Sequence, residues 1–198
     1  MKKVLVAYTT NSGSTEDVVK VIAEELGKNG DQVTISRLEE ILSINGFDAV
    51  IVGAPMILGW HRSARKFIKQ HQPALSRIPV AYFCTAMSLT VPAVPSKSTT
   101  PVYLDASLAK PPKKEGHLSF KESYTLASNY LKPILASAPE VKPVSVGFFG
   151  GRLDLYKLKL LQMLFVMVII GAQPGDLRNN PAIREWAAGL RDSMLKTL

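Results

Sequence analysis

The chain is 198 residues long and 46% apolar, with 20% charged side chains, enough for the core of one α/β domain and inconsistent with disorder. Mean hydropathy is +0.11, and no run of about 18 uncharged apolar residues is present to span a bilayer. The net charge is +8, which excludes neither nucleic acid, anionic lipid nor a carboxylate-bearing small molecule as a partner, because all three gain from the same Coulomb attraction. Residues 1–48 hold 5 Lys/Arg against 8 Asp/Glu, so the excess, +11, lies in the middle and C-terminal portion. No helix-turn-helix, zinc-finger spacing or RNA-binding aromatic motif accompanies that charge, and nucleic acid is not expected. Cys84 is the one cysteine in the sequence and forms no internal disulfide. The first residues enter a strand-like segment without a signal-peptide pattern, so a cytoplasmic location is expected.

In chain order, Lys3 to Tyr8 is a compact apolar run that predicts a strand. Ser14 to Asn29 follows, with Val18, Val19, Ile22, Ala23 and Leu26 at helical spacing and Gly30 at its end. Val33 to Ile35, Ala49 to Val52, Val80 to Phe83 and Val144 to Phe149 supply four more strands. Alternation of strand and helix predicts a doubly wound α/β fold, a five-stranded parallel sheet with right-handed crossovers and helices on both faces. Thr90 to Ser119 breaks the rhythm. It carries Pro92, Pro95, Pro101, Pro111 and Pro112 among Lys97, Lys110, Lys113 and Lys114, shows no period, and reads as a long insertion: a binding loop or lid, or a solvated excursion. Phe120 to Ala136 predicts a helix limited by Pro133 at its far end. Leu160 to Ile170 is apolar except at Gln162. Pro181 to Leu198 is amphipathic, with Ile183, Trp186, Ala187, Leu190 and Met194 on one stripe, and predicts a closing helix on a single 198-residue domain.

The informative segment is Thr9, Thr10, Asn11, Ser12, Gly13, Ser14, Thr15, between the first strand and the first helix. A strand end feeding a helix N-terminus gathers unpaired backbone N–H groups and the positive end of the helix dipole at one spot, and five hydroxyls add donors. The spot suits a dianionic phosphate. It holds no Lys or Arg and no triplet of spaced glycines, so it is neither a nucleoside-triphosphate loop nor a dinucleotide fingerprint. The alternative is that Ser12 or Ser14 merely caps the helix. Its place, after the first strand of an α/β pattern where ligands sit at the carboxyl edge of the sheet, favours the phosphate.

Strand, then Thr10-Asn11-Ser12-Gly13-Ser14-Thr15, then helix, resembles the FMN-phosphate loop of the flavodoxin-like superfamily. The resemblance implies strand order 2-1-3-4-5 and FMN as cofactor, with the loops after the third and fourth strands flanking the flavin ring. Those loops are Pro55, Met56, Ile57, Leu58, Gly59, Trp60 and Thr85, Ala86, Met87, Ser88, Leu89, and Gly150 joins them from the fifth strand. Trp60 is either a stacking partner for the ring or an anchor for the following helix. Cys84 reads as a small buried hydrophobe. His61 and His71 are ten apart and His117 lies in the insertion, so no metal site is expected. No catalytic acid, base or nucleophile stands out, and the resemblance implies that FMN carries the chemistry.

Flavodoxins that act as carriers are usually acidic, whereas this chain has a pI near 9.6. Gly53-Ala54 through Gly59, then His61, Ser63, Ala64, Phe67-Ile68-Lys69, and Phe149-Gly150-Gly151-Arg152-Leu153 are similar to the menaquinone-dependent protoporphyrinogen IX dehydrogenase family. That resemblance implies an oxidoreductase in haem biosynthesis that takes electrons from a reduced, carboxylated substrate and delivers them to a quinone. Lys97, Lys110, Lys113 and Lys114 would face the substrate's propionates. Residues 155–170, entered past Arg152, Lys157 and Lys159, either dip into an anionic membrane surface or pack on the sheet. The remaining readings are an electron carrier with a protein partner and an NAD(P)H:quinone reductase.

Overall fold

A computed structural model describes residues 1–56, 59–91, 100–114, 117–153 and 175–195. The expected calls on Ile57, Leu58, Lys97 and the segment 155–170 lie outside these residues. Five parallel strands form the centre of the sheet: β1 (Lys3–Tyr8), β2 (Gln32–Arg37), β3 (Ala49–Pro55), β4 (Val80–Ala86) and the strand Ser145–Gly150. Three of them, β1, β3 and β4, are buried along nearly their whole length. This is why they read as continuous apolar runs: a strand covered by helices on both faces has no polar side to show.

The insertion is where expectation and structure part. It is not structureless. It contains β5 (Leu89–Thr90), β6 (Val102–Leu104) and β7 (Ala109–Lys110), which makes Ser145–Gly150 strand β8. Strand β6 pairs in parallel with β8, so the sheet has six strands in the order β2-β1-β3-β4-β8-β6. The five-strand order 2-1-3-4-5 holds inside it, with the sixth added at the edge. Strand β6 is three residues long and half exposed, too short for a period-2 pattern to be visible among the flanking prolines.

Helix α1 (Ser14–Gly27) and the C-terminal helix α6 (Asn180–Leu195) cover one face. There Val18, Val19, Ile22, Ile183, Trp186, Ala187 and Leu190 pack on Val4, Val6, Ile51, Phe83 and Phe149. The other face carries α2 (Arg62–Gln70), α3 (Gln72–Leu75), α4 (Phe120–Tyr124) and α5 (Ala127–Ala136) over Leu5, Val50, Val52, Tyr82 and Phe148. The single helix expected over Phe120 to Ala136 is two. Thr90 N–H donates to Thr125 O at 2.8 Å and the two threonine hydroxyls meet at 2.9 Å, so the chain at Thr125 serves β5 instead of continuing a helix. Pro133 does not end α5 but sits inside it. Two further short strands, β9 (Arg152–Leu153) and β10 (Gly175–Asp176), pair antiparallel just past β8.

Part of the charge asymmetry of the sequence is matched between the C-terminal and N-terminal segments. Arg184 of α6 reaches Glu24 at 2.7 Å and Glu25 at 3.3 Å, Arg191 reaches Asp31 at 3.2 Å, and Arg178 reaches Asp17 at 2.6 Å. Acidic α1 is thus matched by the basic C-terminal segment.

Candidate functional site

The carboxyl edge of the sheet gathers the β1–α1 loop, the β3–α2 loop, the chain after β4 and the chain after β8. The β1–α1 loop turns at Gly13, whose φ of 87° is left-handed, with nothing within 4 Å of where a Cβ would stand. Its conformation, not crowding, calls for glycine. Gly13 N–H donates to Thr10 Oγ1 at 2.9 Å, and Thr9 N–H donates to Gly53 O at 3.1 Å, fastening the loop to β3. The first α1 N–H with a helical partner is that of Asp17, to Gly13 O. Among the described residues the N–H groups of Asn11, Ser12, Ser14 and Thr15 therefore donate to nothing, and Thr10, Asn11, Ser12 and Gly13 are half-exposed. A set of unsatisfied N–H donors at a helix N-terminus is an anion cradle.

The hydroxyls divide into two groups. Thr15 is fully buried and its Oγ1 bonds Thr85 Oγ1 at 3.0 Å. Ser14 Oγ accepts the N–H of Arg152 at 2.6 Å, and Thr9 Oγ1 donates to Glu39 at 3.4 Å. Thr15 and Ser14 tie the loop to β4 and to the chain after β8. Thr10 and Ser12 are half-exposed, Thr10 Oγ1 accepting the Gly13 N–H.

Several expected ring-side residues are not at an open surface. Trp60 is 3% exposed, its ring 5.6 Å from that of Tyr82 in the core. Leu89 is 1% exposed because β5 pairs with β7. Gly150 is buried beneath the backbone of Leu177, whose carbonyl oxygen lies 1.8 Å from where a Cβ would be, so it makes room for the passing chain. Pro55, Met56, Thr85 and Ala86 are buried at strand ends, Met56 N–H donating to Thr85 O at 2.9 Å. Gly59, with a φ of 92°, and Met87 and Ser88 remain half-exposed.

Two arginines reach the loop that its own sequence lacks. Arg178 and Arg152 lie 2.6 and 3.7 Å from Asp17 in the first turn of α1. They offset the carboxylate that would otherwise oppose an anion there. Hydrogen bonds from Arg178 also hold the Asp176 carboxyl below its ordinary range. Arg152 belongs to the quoted Gly150-Gly151-Arg152 motif, but nothing local in the sequence shows that it docks on a loop 138 residues away.

No group of three or more His, Cys, Asp or Glu side chains among the described residues is placed to hold a metal ion. His61 and His71 bracket α2 at its two ends. Burial raises the Cys84 thiol well above its usual value, as expected of a core residue without a nucleophilic role.

The flavodoxin-domain family matches residues 5–176. A protoporphyrinogen IX dehydrogenase [quinone] of Escherichia coli K12 is 32% identical over 85 residues, 41% of this chain and 46% of that protein. The same values hold for the protein of strain O157:H7, so the chain matches less than half the length of these relatives. Among solved structures, a mutant flavo di-iron protein from Thermotoga maritima aligns with 98% of this chain and 36% of its own, at 17% identity and a TM-score of 0.51. The two-electron reduced flavodoxin of Megasphaera elsdenii aligns with 73% of this chain and 84% of its own, at 13% identity and a TM-score of 0.46.

Proposed function

The chain belongs to the flavodoxin-domain family, and from that premise we propose that it is an FMN-dependent oxidoreductase passing electrons from a reduced, carboxylated substrate, of the protoporphyrinogen type, to a quinone. The observation that carries the cofactor is the β1–α1 loop: N–H groups of Asn11, Ser12, Ser14 and Thr15 without partners among the described residues, around a left-handed Gly13. That donor set fits a phosphomonoester, and Thr10 and Ser12 stand beside it. The flavin, when bound, supplies the redox chemistry. The chain's own part is to bind and to hold. The Thr15–Thr85 bond and the Ser14–Arg152 bond fix the phosphate loop against the neighbouring strands. Gly59, Met87 and Ser88 present small or flexible groups along the same sheet edge. Trp60, packed on Tyr82, anchors the β3–α2 loop from beneath.

The substrate and acceptor rest on the likeness to the E. coli dehydrogenases and on the basic insertion. Of the four lysines expected to meet the propionates, Lys110, Lys113 and Lys114 are described and exposed. Contact with a membrane surface, where a quinone would be met, belongs to the same proposal; no helix among the described residues is long and apolar enough to cross a membrane. The test is anaerobic: the FMN-loaded chain is mixed with protoporphyrinogen, and flavin absorption is followed before and after a menaquinone analogue is added. Bleaching and then recovery are expected. A bound flavin that ignores the porphyrinogen would remove this substrate and leave NAD(P)H-linked quinone reduction or a protein partner.

A further inference from the structure

Helix α2 has two unlike faces. Ala64, Phe67 and Ile68 are buried in the core, whereas Arg62, Arg65, Lys66 and Lys69 are all exposed. These four stand at i, i+3, i+4 and i+7, one stripe about 10 Å long. With Gln72, Ala136 at the end of α5, and Ser137 and Pro139 just past it, they line a groove of about 690 Å³ whose described lining holds no carboxylate. Arg65 Nε donates to Ser137 Oγ at 3.4 Å across it.

The cations that pack against the N-terminal acids are matched: Arg178, Arg184 and Arg191 each meet an acid of the N-terminal segment. Among the described residues none of the four α2 cations has an ion-pair partner. Arg62 faces Lys66 and Arg65 faces Lys69 one turn on, a like-charge arrangement that destabilises an isolated helix. Four unmatched cations concentrated in a concavity are relieved by a compact, multiply charged anion.

We propose that this groove is a binding site for a phosphoryl anion bearing two or more charges. The guanidinium groups of Arg62 and Arg65 offer paired donors to phosphoryl oxygens, and Lys66 and Lys69 act as mobile point charges. The site is separate from the β1–α1 loop, being built from α2, α3 and α5, and it does not depend on the cofactor reading. The ligand chemistry is shared by a soluble phosphorylated molecule and by anionic lipid headgroups.

The test is calorimetric titration of the full, FMN-saturated chain with inorganic pyrophosphate at low salt, repeated without FMN. The comparison is a fourfold variant, Arg62→Gln, Arg65→Gln, Lys66→Gln and Lys69→Gln, with a charge-matched control, Lys2→Gln, Lys3→Gln, Lys20→Gln and Lys28→Gln. All eight positions lie at or near the surface, and circular dichroism verifies folding. The α2 variant is expected to bind about tenfold more weakly or worse, and the control within about twofold of the parent. Equal binding by the α2 variant and the parent, with or without FMN, overturns the proposal. Sedimentation with phosphatidylglycerol vesicles, competed by pyrophosphate and lost in the α2 variant, assigns the lipid source. Pyrophosphate binding without sedimentation assigns the soluble one. A poly-glutamate probe that binds the parent while pyrophosphate does not overturns the phosphoryl assignment in favour of an acidic protein.

Discussion

Asp105 is fully buried, yet no cation pairs with it among the described residues. Its Oδ1 accepts the Ser107 N–H at 2.9 Å, the Ser107 hydroxyl at 2.8 Å and Asn179 Nδ2 at 2.9 Å, and its Oδ2 faces the Gly150 N–H at 3.5 Å. One side chain thereby joins the insertion, the exit of β8 and the start of α6. Asp105→Ala removes the acceptor of the exposed Ser107 and half-exposed Asn179 donors and of the buried Gly150 N–H, and is expected to cost about 1–3 kcal/mol of stability; denaturant unfolding measures it, and a loss below about 0.5 kcal/mol means that water replaces the carboxylate. Gly13 makes a different case. A side chain there meets no neighbour, so Gly13→Val is expected to act through the backbone, at about 1–2 kcal/mol for a left-handed residue. Flavin-fluorescence titration should show weakened FMN affinity, and Gly13→Asn, which tolerates that conformation, should keep more of it.

At the level of elements, α2 starts on an unusual cap. The His61 imidazole accepts the Ser63 N–H at Nδ1, 3.3 Å away, which requires the neutral ring. Burial pushes His61 below its ordinary value, partly countered by Glu39. Because the folded value is the depressed one, the unfolded chain takes up the proton first. The contribution is present above about pH 6.5 and is lost as pH falls through the lower folded value. The Ser63 amide resonance should shift in that window, and His61→Asn, a cap without a titration, should abolish the shift; a shift that persists in the variant refutes the assignment. The β9–β10 pair makes the second element-level prediction. Gly150→Ala drives a methyl into the Leu177 carbonyl, and overpacking of this kind costs about 1–3 kcal/mol. Amide exchange should quicken first at Leu177, whose N–H donates to Gly151 O at 2.9 Å, and at Gly151, whose N–H donates to Ala86 O at 2.9 Å.

Across the molecule, the two ends of the chain are brought together by α1 and α6. Trp186 is the keystone of that face: it lies edge-on to Phe149 at 5.3 Å and Phe83 at 6.2 Å, and its Nε1 donates to Ser145 at 2.9 Å. Trp186→Ala is expected to lower global stability by about 3–5 kcal/mol, read as a shifted unfolding midpoint with one cooperative transition. The same packing sets Arg184, Arg191 and Arg178 against acids of the N-terminal segment, whereas the four cations of the α2 stripe have no ion-pair partner among the described residues.

The five central strands, α1, the buried stripe of α6 and the turn of the β1–α1 loop at Gly13 were legible in the sequence, because each is written in local period or in the chemistry of a few adjacent residues. Residues that touch across long separations were not. That Thr15 and Ser14 bond Thr85 and Arg152, that Trp60 packs on Tyr82, and that Gly150 lies under Leu177 depend on which chain segment lies opposite, and only the folded backbone decides this. Strand β6 failed for the same reason: three half-exposed residues between prolines carry no period, and it is the free edge of β8 that makes them a strand. Periodicity and turn chemistry are local free energies that a sequence states directly; pairing, burial and charge matching are settled by the tertiary structure, which chooses the neighbour.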